Sequence, residues 1–380
     1  MSERYLIKNR LAYWAFRLAD AAFALLSLGR KRNFAIPRPK KIVLSNIAHL
    51  GDVVLMTALF PVIKRAFPEV KIGVIVGSWS RKMVESHPLV DYVHVLDHWK
   101  VARSSSSRFQ KMKKTLEMAK IVKRELRQIQ YDISVECSFH YPNTIFLTSQ
   151  AGVPVRIGYT SGGFGPLLTH PVEWTDRNVS VAVYSLDLVK KFASVEVADL
   201  RPVLPEGMIS IPMSERYIVI HMGSGNPIKE WPIEKWKELC AKLVEDGRSL
   251  VFTGKGEKEA EAIAHASGGL KNCSNLCNLL AWEECIPLIR GAQMLIGVDT
   301  GLGHVAAATE TPSVLIYAGI HPIELWRPLS SKVHVLIHPV PCHPCRLTRG
   351  CESMACIRNV SVESVYEAAN GVLLQIQDDR

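Results

Sequence analysis

The chain has 380 residues, of which 48% are hydrophobic and 22% charged. This composition excludes a disordered chain, and the length exceeds what one hydrophobic core normally supports, so we expect two domains. The formal net charge of +10 at pH 7 favours an anionic partner such as a nucleotide, a phosphorylated saccharide or an anionic membrane. Nucleic acid is set aside, because no zinc-finger spacing, RNP-like aromatic run or basic helix argues for it.

The first 40 residues are an N-terminal extension with an amphipathic segment. Residues 11–28 are mostly apolar, carry only Arg17 and Asp20 as charges, and have basic residues on both sides. A spanning helix needs about 20 apolar residues with few charges, and no signal-cleavage motif is evident. The pattern favours an interfacial helix on an anionic membrane surface. The alternative is a helix that packs its apolar side on the first domain.

From residue 41 onward, short apolar strands alternate with helices. In the first half the pattern predicts strands at residues 41–45, 70–76, 92–96 and 131–137, and helices at residues 52–65, 109–130 and 181–192. Buried strands that alternate with helices are typical of a parallel sheet. Three prolines within residues 201–212 mark a linker. The predicted domains are therefore residues 41–205 and 206–380.

The same alternation restarts after the linker. It predicts strands at residues 217–221, 249–253, 294–298 and 313–317, and helices at residues 233–246, 257–266, 282–290 and 304–309. Ligands of parallel sheets bind beyond the carboxyl ends of the strands. Two such domains can therefore face one cleft between them.

Polar residues gather in the loops that follow these predicted strands. In the second domain, residues 221–232 supply two glycines, a hydroxyl and a lysine, and residues 299–304 form a glycine-rich turn that enters a helix. Such a turn directs unpaired backbone N–H groups at an anion, and Gly301 and Gly303 allow a ligand to approach closely, which predicts a diphosphate site. The alternative is an ordinary turn whose polar residues cap the helix. In the first domain, the corresponding loop carries a lone carboxylate, Asp52.

These motifs resemble glycosyltransferase family 9, the ADP-heptose:lipopolysaccharide heptosyltransferases, over residues 41–374. The matching signatures are Gly51-Asp52 with Thr57 and Pro61, His221-Met222-Gly223-Ser224 with Lys229-Glu230-Trp231-Pro232, Val298-Asp299-Thr300-Gly301 with His304 and Ala307-Ala308, and Pro312. The resemblance implies an α/β protein with the GT-B fold, in which two Rossmann-like parallel-sheet domains face an interdomain cleft. Residues 41–205 would bind the acceptor and residues 206–380 the nucleotide-sugar donor. A C-terminal helix that packs back on the first domain is one arrangement it allows.

The resemblance also implies roles for individual residues. Asp52 matches the general base that takes the proton of the acceptor hydroxyl, and its alternative role is a carboxylate stabilised by a helix dipole. Lys229 matches the lysine that offsets charge on the departing diphosphate, and its alternative is a solvated surface lysine. Glu257 is the implied ribose-binding acid, with Glu259 as the other register. The rest of the donor and phosphate site is implied to be Ser224, Asp299, Thr300, Gly301 and His304.

The implied reaction is inverting transfer of a heptose from ADP-heptose to the lipopolysaccharide core, an acidic lipid-linked saccharide, with no metal cofactor. The enzyme would act in the cytoplasm, peripherally at the inner face of the cytoplasmic membrane. Transfer from another nucleotide sugar stays open, as does a non-catalytic saccharide- or nucleotide-binding protein, which has no need of Asp52. A nicotinamide-dependent oxidoreductase is disfavoured, because no G-x-G-x-x-G motif follows Leu44.

Four of the nine cysteines lie close together near the C-terminus. They are spaced C-x2-C-x5-C-x4-C and comprise Cys342, Cys345, Cys351 and Cys356. Four neighbouring thiolates could hold a structural, non-catalytic zinc or iron ion. Free thiols are favoured over the metal, and stable disulfides are rare in the cytoplasm.

Overall fold

A computed structural model describes residues 5–7, 9–29, 32–102, 106–196, 200–207 and 216–378. The chain divides into two compact units, Met1–Pro205 and Glu206–Arg380. Each unit contains a six-stranded sheet in which every paired strand is parallel. Residues 208–212 of the predicted linker lie outside the described residues.

The sheet of the first unit has the order β3-β2-β1-β4-β5-β6. Its strands are β1 (Lys41–Asn46), β2 (Lys71–Val76), β3 (Tyr92–Val95), β4 (Ile133–Glu136), β5 (Val155–Tyr159) and β6 (His170–Val172). β1 is central, and Ile42 lies opposite Ile72 of β2 and Ile133 of β4. All three side chains are fully buried, as expected for parallel strands covered on both faces.

Helices connect and cover these strands. They are α1 (Arg10–Leu26), α2 (Leu50–Thr57), α3 (Leu59–Ala66), α4 (Arg81–Glu85), α5 (Arg108–Ile129), α6 (Ile145–Ala151) and α7 (Val181–Val189). The single helix predicted over residues 52–65 is wrong, since α2 ends at Thr57 and α3 follows after Ala58. Pro61 explains the break, because it has no N–H to donate to the carbonyl of Thr57, four residues earlier.

The second unit repeats this strand order. Its strands are β7 (Ile218–His221), β8 (Leu250–Phe252), β9 (Cys273–Asn275), β10 (Met294–Val298), β11 (Ser313–Ile316) and β12 (Val333–Leu336), in the order β12-β11-β10-β7-β8-β9. Counted from the first strand of each unit, both sheets have the Rossmann order 3-2-1-4-5-6. The chain therefore has the predicted α/β class, with two Rossmann-like domains.

The helices of the second unit include one at the C-terminus. They are α8 (Ile233–Glu245), α9 (Glu257–Ser267), α10 (Cys285–Gly291), α11 (Gly301–Ala308), α12 (Ile323–Trp326), α13 (Ala355–Arg358) and α14 (Val362–Asp378). α14 packs beside α8 and β11, and its buried side chains Val365, Ala369 and Leu373 lie in the core of the second unit. The C-terminal helix thus packs on its own unit, whereas the sequence allowed a return to the first domain.

One face of the N-terminal helix α1 packs on the first unit. The ring of Phe16 lies 4.8 Å from that of Tyr141 between centroids. Asp20 is buried and accepts hydrogen bonds from the Tyr5 hydroxyl at 2.8 Å and the Phe164 backbone N–H at 2.9 Å. A charged residue within the apolar run thus fastens the helix to the domain.

The opposite face of α1 is apolar and exposed. Its outward side chains are Leu11, Trp14, Leu18, Leu25 and Leu26. α1 is therefore packed on the first unit along one face, while its role as an interfacial helix on a membrane stays a prediction. Within the described ranges, no helix is long and apolar enough to cross a bilayer.

Candidate functional site

Each sheet has a position where the strand order reverses direction. In the first unit this switch point lies between β1 and β4, and in the second it lies between β7 and β10. Loops that leave the carboxyl ends of such neighbouring strands run in opposite directions and open a crevice, where ligands of these folds bind. The predicted residues Asp52, Lys229 and Asp299 follow β1, β7 and β10 respectively.

Lys229 and Asp299 form an ion pair at the switch point of the second sheet. The distance between Lys229 Nζ and Asp299 Oδ2 is 2.6 Å, and the two side chains are 24% and 13% exposed. Lys229 ends a short 3-10 turn that begins at Pro227. The lysine is therefore held inward by its partner, and the interpretation as a freely solvated surface lysine does not describe it.

Two buried polar atoms at the start of α11 have no hydrogen-bond partner among the described residues. They are Thr300 Oγ1 and His304 Nδ1, one helical turn apart. Burial lowers the pKa of His304 to about 4, so its ring is neutral at pH 7. Unpartnered polar atoms are costly to bury, and beside a helix N-terminus they are suited to an anionic ligand.

The glycines of this turn have different environments. Gly301 is the first residue of α11, whose leading N–H groups have no partner within the helix. A Cβ atom at Gly303 would lie 2.8 Å from Leu315 Cδ1 of β11. Gly303 thus permits close packing of the helix on the sheet, a role the sequence analysis did not give it.

The loop that follows β7 is organised by its own polar groups. Ser224 Oγ accepts a hydrogen bond from the Asn226 backbone N–H at 3.2 Å. Trp231 is buried and donates from Nε1 to the Val360 carbonyl at 3.1 Å. Glu230 pairs with Lys258 of α9 at 2.6 Å. The Ser224 and Trp231 contacts fix the segment that carries Lys229, whereas the Lys258 side chain is 69% exposed and its ion pair adds little.

Of the two acidic residues considered for ribose binding, Glu259 lies at the carboxyl edge of the sheet. Its Oε2 accepts the Lys255 backbone N–H at 3.0 Å, and its carboxylate packs so closely on Gly223 that a Cβ there would lie 2.1 Å from Glu259 Cδ. Glu257, in contrast, is exposed at the start of α9. The geometry favours Glu259 over the predicted Glu257.

A small cavity adjoins the ion pair and contains residues that the sequence analysis missed. Its empty volume is about 220 Å³, and besides Lys229 and Asp299 it is lined by Tyr317, Ala318, Ile320, His321, Pro322 and Trp326. Tyr317 donates from its hydroxyl to the Trp326 carbonyl at 3.1 Å, and burial raises the pKa of this phenol. In the sequence, the aromatic residues Tyr317 and Trp326, which follow β11 closely, could have indicated this part of the site.

Asp52 occupies the third position of α2 in the first unit. It is buried, and its Oδ2 accepts the His49 backbone N–H at 3.0 Å. This is the helix-start contact expected of a carboxylate near the positive end of a helix. Asp52 thus has a structural role, and its role as general base stays a prediction.

A second carboxylate, Glu136, ends the neighbouring strand β4 and was missed by the sequence analysis. Its Oε2 accepts hydrogen bonds from Ser45 Oγ at 3.0 Å, the Thr144 N–H at 2.6 Å and Thr144 Oγ1 at 2.8 Å. Its Oε1 accepts the Ser138 N–H at 3.2 Å. Burial raises the pKa of Glu136 to about 7. Glu136 holds the loop after β4 to the end of β1.

The cysteine-rich loop, residues 342–356, packs beside the donor-side loops. The Cys345 and Arg346 N–H groups donate to the carbonyls of Gly319 and Ile320 at 3.1 and 2.8 Å. A Cβ at Gly350 would lie 2.9 Å from Ile228 Cγ2, next to Lys229. All nine cysteines are free thiols, and in the described part of the chain no three His, Cys, Asp or Glu side chains are grouped to hold a metal ion. Metal binding stays a prediction.

Comparison with known proteins agrees with this geometry. The model of glycosyltransferase family 9 (heptosyltransferase) matches residues 120–354, which include the Lys229 loop and the start of α11. The chain belongs to glycosyltransferase family 9. This confirms the resemblance inferred from the motifs and makes the protein a glycosyltransferase.

Curated and solved members of family 9 match most of the chain. Lipopolysaccharide heptosyltransferase 1 of Pseudomonas aeruginosa is 24% identical over 331 residues, which are 80% of this chain and 86% of the relative. Lipopolysaccharide heptosyltransferase 2 of Escherichia coli is 23% identical over 359 residues, 88% and 99% of the two chains. The structure of E. coli ADP-heptose lps heptosyltransferase II has a TM-score of 0.70 and 21% identity, covering 89% of this chain and 99% of that one. The predicted GT-B fold class is confirmed.

Proposed function

We propose that this family 9 enzyme transfers a heptose from ADP-heptose to the lipopolysaccharide core, with inversion at the anomeric carbon. The observation that carries the proposal is the start of α11, where buried Thr300 Oγ1 and His304 Nδ1 lack partners among the described residues, beside the ion-paired Lys229. This arrangement suits a diphosphate. The choice of sugar and acceptor is supported by the names of the relatives, which are lipopolysaccharide heptosyltransferases, one of them described with ADP-heptose.

In the proposed donor complex, the diphosphate of ADP-heptose lies at the start of α11. The backbone N–H groups from Gly301 onward and the Thr300 hydroxyl donate to its oxygens, and Lys229 supplies the positive charge. Asp299 positions Lys229 through their 2.6 Å contact. Glu259 accepts hydrogen bonds from the ribose hydroxyls. No metal cofactor is required in this scheme, because the lysine and the helix N-terminus offset the diphosphate charge.

In the proposed reaction, an acceptor hydroxyl attacks the anomeric carbon and loses its proton to Asp52. The new carbon–oxygen bond forms as the bond between the anomeric carbon and the β-phosphate breaks, and ADP departs with the electron pair. Negative charge grows on the leaving phosphate in the transition state, so contacts from Lys229 strengthen as the reaction proceeds. A single displacement of this kind inverts the anomeric configuration.

We also propose that the enzyme binds peripherally to the inner face of the cytoplasmic membrane, where a lipid-linked acceptor resides. The exposed leucines and Trp14 of α1 would enter the headgroup boundary, and the basic residues that flank this segment in sequence would meet anionic lipid. The packed face of α1, with Asp20, would keep the helix attached to the first unit.

The test of the reaction is acceptor-dependent release of nucleoside diphosphate. The purified chain is offered ADP-heptose, ADP-glucose and UDP-glucose with heptose-deficient lipopolysaccharide core, and product stereochemistry is read by NMR. We expect ADP release only with ADP-heptose and core acceptor together. Equal turnover with another nucleotide sugar would overturn the donor assignment. Donor binding without transfer to any acceptor would favour a non-catalytic binding protein.

A further inference from the structure

The long helix α5 is unusually basic for a helix with a hydrophobic contact surface. Its 22 residues include eight lysines and arginines against two glutamates. Ser107 caps it, since Ser107 Oγ accepts the Gln110 N–H at 3.3 Å and Gln110 Oε1 accepts the Ser107 N–H at 3.0 Å. These two reciprocal hydrogen bonds between Ser107 and Gln110 fix the start of α5. The first turns of α5 are therefore a formed helix.

The two halves of α5 have different surroundings. In the C-terminal half, Val122 and Leu126 are buried and pack in the core of the first unit. In the N-terminal half, Phe109, Met112 and Leu116 are 77%, 41% and 63% exposed. Their spacing of three and four residues places these three side chains on one face of the helix, on which Phe109 and Leu116 are the most exposed and Met112 lies nearest the side of the core. We call them the α5 stripe.

Two basic side chains lie on the same face of the helix as the α5 stripe. Lys113 and Lys120 lie within about 40° of Phe109 around the helix axis at 100° per residue. Both are exposed, and no hydrogen bond or ion pair joins either to the described part of the chain. Lys114, in contrast, pairs with Asp97 at 3.1 Å. The face that carries the apolar stripe thus also carries cations without a protein partner.

A chain of aromatic contacts connects the start of α5 to α1. The Arg108 guanidinium lies 4.6 Å from the ring centre of Trp99, and the next residue, Lys100, places Nζ 5.2 Å from the ring centre of Tyr141. Tyr141 in turn contacts Phe16 of α1. The start of α5 and the packed face of α1 therefore belong to the same folded unit, in which both helices also have exposed apolar side chains.

We propose that the α5 stripe is a second lipid-contacting surface, which binds an anionic bilayer together with α1. The inference extends the peripheral attachment proposed above and rests on it. Exposed apolar side chains beside unpaired lysines are complementary to a membrane with negative headgroups, where the apolar groups enter the interface and the cations remain at its surface. Two contacts on one rigid unit fix its orientation, whereas one helix leaves it free to rotate.

The experiment measures co-sedimentation of the full chain with vesicles of phosphatidylcholine containing 30% phosphatidylglycerol. F109Q/L116Q removes the two most exposed side chains of the α5 stripe, and Ile121→Gln is the control, since Ile121 is exposed on another face of the same helix. K113Q/K120Q removes the two cations, and K237Q/K271Q removes the same charge from exposed lysines of the second unit. We expect F109Q/L116Q and K113Q/K120Q each to bind the vesicles roughly ten-fold more weakly than the parent chain. Ile121→Gln and K237Q/K271Q should each change vesicle binding less than two-fold. High salt should reduce the difference in vesicle binding between K113Q/K120Q and the parent chain.

Three outcomes would overturn the inference. One is loss of pelleting in the α1 variant L11Q/L18Q while F109Q/L116Q pellets like the parent chain. Another is equal weakening by K113Q/K120Q and K237Q/K271Q, which would reflect net charge alone. The third is a parent dimer in sedimentation velocity that F109Q/L116Q dissociates, because the stripe would then bind a second copy. Vesicle binding requires no sugar transfer, so failure of the heptose assay leaves this test interpretable.

Discussion

At the carboxyl edge of the first sheet, buried Glu136 accepts hydrogen bonds from Ser45, Ser138 and Thr144. At the same edge of the second sheet, buried Thr300 Oγ1 and His304 Nδ1 have no partner among the described residues. The strand order is shared, so the scaffold does not account for the contrast. One edge uses its polar groups to hold its own loops, and the other leaves two of them without a partner among the described residues. This difference is what a division into an acceptor side and a donor side predicts.

The largest expected effect is on the first edge, at Asp52. In Asp52→Asn the side-chain oxygen can still accept the His49 N–H, so α2 keeps its start, but the basic carboxylate is lost. We expect turnover to fall by about 10²-fold or more, the usual scale for loss of a general base. Donor affinity measured by calorimetry should change less than two-fold.

A matched control for Asp52 is Asp132, which accepts the Lys40 and Lys41 N–H groups at 2.7 and 2.8 Å at the other end of β1. Asp132→Asn should leave turnover unchanged. Near-normal turnover in Asp52→Asn would remove the proposed base, and the acceptor side would then need another group such as His49.

The second expected effect is on the donor edge. Lys229→Met removes the cation that we propose contacts the diphosphate, and it leaves Asp299 without its 2.6 Å partner. We expect both donor affinity and turnover to fall by about 10- to 100-fold, because charge on the leaving group grows in the transition state. Lys258→Met, which breaks an exposed pair with Glu230 nearby, is the control and should change either quantity less than two-fold. Unaltered donor affinity in Lys229→Met contradicts the diphosphate contact.

Sequence patterns identify the residues of the proposed donor edge more readily than those of the proposed acceptor edge, for physical reasons. The turn from Asp299 to His304 is local, so glycines and polar residues within six positions specify it. Glu136, in contrast, acquires its partners from Ser45, 91 residues away, and only the pairing of β1 with β4 brings them together. Glu257 and Glu259 differ by two positions on α9, and the sequence alone does not indicate that Glu259 is the one that packs on Gly223.

The prediction of helices and strands from the sequence was limited in the same way, because only local patterns can be recognised. Long amphipathic α5 was predicted to within one residue at each end, because its periodic pattern and its Ser107 cap are local. Strands β6, β9 and β12 were missed, since short strands at sheet edges have little pattern of their own, and β5, which lies inside the first sheet, was missed as well. The sequence left open whether α1 packs on the domain or lies exposed, because the hydrogen bond that holds one of its faces joins Asp20 to the Phe164 N–H, 144 residues away.

The third prediction concerns the pH dependence of the first edge. Burial raises the pKa of Glu136 from 4.5 to about 7, so the folded state holds this proton more tightly than the unfolded state. The resulting stabilisation is full below about pH 4.5 and is lost as pH rises through 7. Between pH 5 and 8 the parent chain should therefore lose about 2 kcal/mol relative to Glu136→Gln. Exposed Glu85→Gln is the control, and parallel pH profiles of thermal unfolding for parent and Glu136→Gln would contradict the assignment.

The fourth prediction tests the unpartnered hydroxyl at the start of α11. Thr300→Val preserves the shape of the side chain and removes an oxygen that is buried without a partner. The free protein should be as stable as the parent or slightly more stable, while donor affinity falls about five- to ten-fold through loss of one hydrogen bond to a charged group. Thr309→Val, at the other end of the helix, removes a hydroxyl already bonded to the Val305 carbonyl at 3.0 Å and should leave donor affinity unchanged. Equal donor affinity in Thr300→Val and parent would place the diphosphate elsewhere.

The smallest effect is expected from metal removal. The cysteine-rich loop supports the donor edge through backbone hydrogen bonds from Cys345 and Arg346 to Gly319 and Ile320, and these bonds need no metal. In the proposed donor complex, Lys229 and the N-terminus of α11 supply the positive field for the diphosphate. Prolonged dialysis against a chelator should therefore change turnover less than two-fold.

Elemental analysis of the purified chain and of Cys342→Ser/Cys345→Ser shows whether the thiols bind a structural metal or are free. One equivalent of zinc or iron in the parent chain that disappears in the variant identifies a structural metal. Absence of metal from both proteins identifies free thiols. Loss of turnover on chelation, restored by one metal, would contradict metal-independent transfer at this edge.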